Sequence, residues 1–142
     1  MSIDLATAQS IIANALEAGQ QKGFKPLTVV VLDAGGHVTA AVRQDGASNN
    51  RFEIAQGKAY GALALGMGSR AIMERAEQQA YFIAAATAAL GGRLIPVPGG
   101  VLVRDEDGGI KGAVGISGDS SDNDETAAAT AIEAAGLTAQ VA

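Results

Sequence analysis

Residues 99–125, GGVLVRDEDGGIKGAVGISGDSSDNDE, hold the densest glycine and aspartate usage of the chain. Val101, Leu102 and Val103 form a short apolar strand. Asp105-Glu106-Asp107-Gly108-Gly109 has turn chemistry, and Ile110 to Ser117 returns as the second strand of a hairpin. Glycine weakens a strand interior, so Gly112, Gly115 and Gly118 at a spacing of three predict that a backbone, a helix or a ligand comes close there. The strand then runs into Asp119-Ser120-Ser121-Asp122-Asn123-Asp124-Glu125. Several of these residues can accept from the free N–H groups of a following helix, predicted from Asn123 to Ala135 with Gly136 as its stop. A strand feeding a polar helix start is a candidate ligand-binding edge.

Upstream, Leu5, Ala8, Ile12, Ala15, Leu16 and Gly19 follow a helical period, with Ser2 or Asp4 as start and Gly23 as stop, giving a helix over roughly 4–22. Leu27 to Leu32 is almost continuously β-branched, as expected of a strand at the sheet centre. Asp33-Ala34-Gly35-Gly36 turns the chain, and His37 to Arg43 is the predicted return strand. A second helix begins near Phe52, capped by Ser48 or a neighbouring Asn. Gly57 and Gly61 within it predict close packing against the sheet. Gly66-Met67-Gly68-Ser69 ends that helix, and shorter helices follow over Arg70–Gln78 and Tyr81–Leu90. Two prolines make Leu94 to Pro98 a rim or an edge. Helices and two hairpins, without the crossovers of an alternating fold, predict an α+β class with an antiparallel sheet under helical cover.

At 142 residues one domain spanning 1–142 is expected, large enough for a core without disulfides or metal. With no cysteine, disulfide frameworks, thiolate metal sites and cysteine nucleophiles are excluded. The chain opens MSIDLATAQ with no basic residue before Lys22 and has no apolar run of membrane-span length. A cytoplasmic location without membrane contact is the expectation. A net charge of −5, three Phe and two Tyr leave neither the electrostatic footprint nor the stacking platform of a nucleic-acid binder. A chain this rich in Ala and Gly has little large apolar surface of its own, so a homo-oligomer is expected.

Motif chemistry is sparse. Gly66-Met67-Gly68 follows a helix rather than a strand, which rules against a dinucleotide fingerprint, and a single histidine excludes an ordinary catalytic triad. The acidic loop does not match calcium-loop spacing, so no metal site is expected. His37, after the two-glycine turn, is either a surface histidine or a ligand for haem iron. Lys58 lies between Gly57 and Ala59 and is either a solvated lysine or a pocket cation.

The order Val29-Val30-Val31-Leu32-Asp33-Ala34-Gly35-Gly36-His37, Arg43-Gln44-Asp45-Gly46-Ala47, Ile54-Ala55, Lys58-Ala59, Pro98-Gly99-Gly100-Val101 and Gly112 to Gly118 with Asp124-Glu125 resembles the GlcG/HbpS family. That family is also described as haem-degrading or haem-binding and is related to the C-terminal domain of PduO-type proteins. The resemblance runs from about residue 3 to residue 138, with Gln44 where the family has methionine. It implies a profilin-like α/β/α arrangement, an antiparallel sheet of about five strands with helices on both faces, and homo-oligomers. It implies a small-molecule-binding protein for haem or a related tetrapyrrole in a catabolic or sensing context. Candidate ligand-binding residues are His37, Arg43, Asp45, Lys58, Gly99, Gly100, Ser117, Asp124 and Glu125, with His37 the axial candidate by chemistry alone. The alternative is a cofactor-independent isomerase, hydratase or lyase acting on a small carboxylate or carbonyl compound. In that reading Lys58 or Arg43 holds the anion and Glu53, Asp119 or Asp124 is the acid/base.

Overall fold

A computed structural model describes residues 2–142. Helix α1 (Leu5–Lys22) starts where the Asp4 carboxylate accepts from the Thr7 N–H and ends on Gly23 at φ 70°, a left-handed cap that glycine adopts without strain. Strands β1 (Thr28–Asp33) and β2 (Val38–Arg43) form the first hairpin, followed by α2 (Arg51–Leu65), α3 (Ser69–Gln78) and α4 (Ala80–Ala89). Strands β3 (Gly100–Arg104) and β4 (Ile110–Ser117) form the second hairpin. Helix α5 (Ser121–Ala134) and a short β5 (Thr138–Gln140) complete the chain.

The five strands make one antiparallel sheet in the order β2-β1-β4-β3-β5, so the two hairpins join through β1 and β4. Strand alternation divides the core. Val29, Val31, Val101, Val103, Val114 and Ile116 face α1 and α5, whereas Val30, Leu32, Leu102 and Ala113 face Ala55, Ala59 and Ala62 of α2. This is the expected α+β class in α/β/α layers. A third cluster, Ile72, Ile83 and Leu94, joins α3 and α4 to the segment before β3.

Several boundaries differ from the sequence expectation. His37 belongs to the turn, and the return strand begins at Val38. No side chain caps α2, because the Ser48 hydroxyl instead accepts from Arg51 Nε at 2.9 Å. Gly57 and Gly61 pack not on the sheet but on Ile95 and Leu94, which are neither rim nor strand but a plug with Leu94 fully buried. The sheet approaches α2 at Gly115 instead, where a Cβ would collide with the Ala55 carbonyl. Helix α5 begins inside the acidic stretch, at Ser121, with the Ser120 hydroxyl accepting from the Asn123 N–H.

Candidate functional site

The residues singled out from sequence fall into three places. The first is buried where α2, β4 and α5 meet. Lys58 Nζ donates to the Ile116 carbonyl at 2.8 Å and to Asp124 Oδ2 at 3.1 Å, and both side chains are at most 2% exposed. The lysine reaches the sheet because Gly99 and Gly100 offer no side chain. A Cβ on Gly99 would lie 2.8 Å from Nζ, and one on Gly100 would collide with the Lys58 carbonyl. Ser69 fixes Gly100 in turn, its hydroxyl accepting from the Gly100 N–H at 2.7 Å. Burial pushes the Lys58 ammonium down and the Asp124 carboxyl up from their ordinary values, and each partner's charge opposes the shift of the other. Neither residue lines any of the principal surface cavities.

The second place is the polar loop and the nearby ends of β2 and β4. Asp119 accepts from the Lys25 N–H, the Asn123 side-chain amide and the Ser120 N–H, and these donors hold its pKa down at about 2. Asp124 Oδ1 accepts from the Asp119 N–H. Glu125 accepts from Arg70 Nε at 2.9 Å, and Asp122 pairs with the same guanidinium, which raises the Arg70 pKa. With its carboxylates bound to protein donors, this loop forms no cluster of metal-binding side chains among the described residues. Ser117 is buried and accepts from Arg51 Nη1 at 3.0 Å. Arg43 Nη1 donates to the Ala47 carbonyl, and Arg43 and Asp45 line an open groove of about 580 Å³ with Gln20, Phe24 and Pro26. Glu53 is exposed in the first turn of α2.

The third place is the β1–β2 turn. His37 projects into solvent with its side chain 81% exposed, and Nδ1 lies 3.3 Å from Asp33 Oδ1. That oxygen also accepts from the Gly35 and His37 N–H groups, which lower the Asp33 pKa and fix the carboxylate behind the ring. Gly35 and Gly36 lie between two rings. A Cβ at Gly35 would be 3.0 Å from His37, and one at Gly36 would be 2.8 Å from the edge of Tyr60. The Arg93 guanidinium stacks 3.9 Å from the Tyr60 centroid. A shallow hollow of about 150 Å³ is lined by Ala34, Gly35, Gly36, Tyr60, Leu63 and Ala64.

His37 is therefore remote from Lys58 and Ser117. In β1, Asp33 lies beside His37 while Thr28 pairs with Ser117, and these ends are roughly 17 Å apart at about 3.3 Å per residue. Sequence reasoning missed Asp33 and Arg51 as partners of the chosen residues. The aspartate at the start of a tight turn was the available signal for the first.

The family model described as haem degrading protein HbpS-like matches residues 3–133. Among solved structures, the chain is similar to a PduOC–haem complex, with 27% identity, a TM-score of 0.86, and coverage of 96% of this chain and 97% of that one. It is also similar to the Klebsiella pneumoniae protein ORFY, with 25% identity, a TM-score of 0.84 and coverage of 94% and 90%. A double mutant of Streptomyces reticuli HbpS shares the fold at 24% identity and a TM-score of 0.80, covering 94% of this chain and 87% of that one. No curated protein matches the chain. No helix among the described residues is long and apolar enough to cross a membrane.

Proposed function

Because the chain belongs to the HbpS-like haem-degrading family, we propose that it binds haem or a related metallated tetrapyrrole, with His37 as the iron ligand. The observation that carries this reading is the exposed His37 imidazole with Asp33 fixed behind Nδ1, which leaves Nε2 toward solvent. A carboxylate behind one ring nitrogen orients a histidine ligand and raises the basicity of the other nitrogen. The hollow beside the histidine is too small to enclose a porphyrin, so the ring would rest on Gly35, Gly36 and the Tyr60 region with much of its surface exposed. The likeness to a PduOC–haem complex supports the ligand class.

Bound haem supplies a redox-active iron; the residues of this chain hold and orient it. The sealed Lys58–Asp124 pair offers a small carboxylate no approach, so acid/base chemistry there finds no support in the geometry. The exposed edge of β2, with Val38 and Val42 outside the core, is the surface we assign to association between copies in the cytoplasm.

Haemin titration followed by absorption spectroscopy tests the reading. Wild type should show saturable binding with a defined Soret shift, and His37→Ala should weaken it at least tenfold. No saturable binding by wild type would overturn the haem reading, and an unchanged spectrum in His37→Ala would remove the histidine as ligand.

A further inference from the structure

At the end of the sheet away from His37, three cations make no salt bridge among the described residues. Arg43, Thr28 and Ser117 are neighbours across β2, β1 and β4, and directly paired residues of an antiparallel sheet point to the same face. Here that face is the one covered by α2, because Val30 and Leu32 on the same side of β1 pack on its alanines. Arg43 reaches up to the Ala47 carbonyl at 2.7 Å, and Arg51 reaches down to the Ser117 hydroxyl at 3.0 Å. The Thr28 side chain lies between them in the sheet register. It is 1% exposed, and its hydroxyl is the buried side-chain polar atom without a hydrogen-bond partner among the described residues. An unpaired buried hydroxyl is destabilising, and such groups in native proteins call for a partner.

The charges point the same way. Among the described residues the ion pairs join His37 to Asp33, Lys58 to Asp124, and Arg70 to Asp122 and Glu125. Arg51, Arg43 and Lys25 take part in none of them. Arg51 is half-buried and spends two N–H groups on the hydroxyls of Ser48 and Ser117, leaving the rest of its fork free. Its N-cap neighbour Asn50 makes no side-chain bond to α2, so the positive end of that helix is also uncapped. Asp119, the carboxylate nearest Lys25, is occupied by the Lys25, Ser120 and Asn123 donors. A cavity of about 180 Å³ opens between Lys25, Gly46, Ala47, Ser48, Arg51 and Gly118.

We propose that this cavity binds the oxyanion group of a small molecule, a phosphate or a carboxylate, with Arg51 and Lys25 as counter-charges and the Ser48 hydroxyl as a donor. The guanidinium fork and the helix N-terminus suit an oxyanion. The site is distinct from the His37 surface, from which the length of β1 separates it.

The test is calorimetric titration of the whole chain with inorganic phosphate and, separately, with malonate, at constant ionic strength set by NaCl. Thermal unfolding runs in parallel. Saturable binding of either ion supports the proposal: phosphate alone points to a phosphate-bearing ligand, malonate alone to a carboxylate, and both to an oxyanion site without that selectivity. Arg51→Met should lower affinity at least tenfold; should that variant not fold, Ser48→Ala carries the same comparison with a several-fold loss. Failure of both ions to bind beyond the NaCl control overturns the site. Wild-type affinity in Arg51→Met or Ser48→Ala removes the tested side chain from it.

Discussion

Lys58 is the side chain through which α2 grips both β4 and α5, by its bonds to the Ile116 carbonyl and Asp124. Two charges removed from water lose hydration, and their mutual attraction returns that loss only while both are present. Lys58→Met strands Asp124 and should cost about 3–5 kcal/mol in urea denaturation. Adding Asp124→Asn to that variant removes the stranded charge while keeping an oxygen for the Asp119 N–H, and should recover at least half of the loss. A double variant no more stable than the single one would mean that lost packing, not the stranded charge, sets the cost. The sequence singled out Lys58 through its small neighbours Gly57 and Ala59, but left a solvated lysine and a pocket cation equally open. Its partner lies 66 residues away in a run of acids that look alike, so choosing Asp124 over Asp119 or Asp122 required the tertiary fold.

Helix α2 sits against β4 because Gly115 has no side chain: a Cβ there would collide with the Ala55 carbonyl, a backbone atom that cannot turn aside. Gly115→Ala should therefore destabilise by about 1–3 kcal/mol through overpacking. Ser120→Ala, which removes the hydroxyl cap of α5, should cost about 1 kcal/mol and leave that packing untouched. Urea midpoints distinguish the two. A Gly115→Ala protein as stable as wild type would show that α2 can shift off the sheet without loss. The two hairpins were legible because Asp-Ala-Gly-Gly and Asp-Glu-Asp-Gly-Gly carry their turn chemistry locally. Strand β5 was not: Thr138–Gln140 has three residues and no alternating pattern, and becomes a strand by pairing with Leu102 to Arg104 of β3. The plugging of Gly57 and Gly61 by Leu94 and Ile95 was equally hidden, since prolines near that segment report its backbone and not where it packs.

The whole molecule is closed by contacts between distant parts of the chain, and one of them is titratable. Asp119, at the entry to α5, accepts from the Lys25 N–H, 94 residues away, and so ties the connection between α1 and β1 to the far side of β4. The Lys25 N–H, the Asn123 amide and the Ser120 N–H hold the folded-state pKa at about 2, while an unfolded aspartate titrates near 3.9. The folded state thus binds fewer protons over that interval. The stabilisation from the charged carboxylate is present above about pH 4 and is lost as pH falls through about 2. Thermal unfolding of wild type and Asp119→Asn from pH 7 to pH 2 should show wild type higher in Tm by a constant margin above about pH 5. That margin should narrow steadily toward pH 2, where about half of the folded-state Asp119 is protonated. A margin unchanged down to pH 2 would mean that the carboxylate's shape, and not its charge, holds the two segments together.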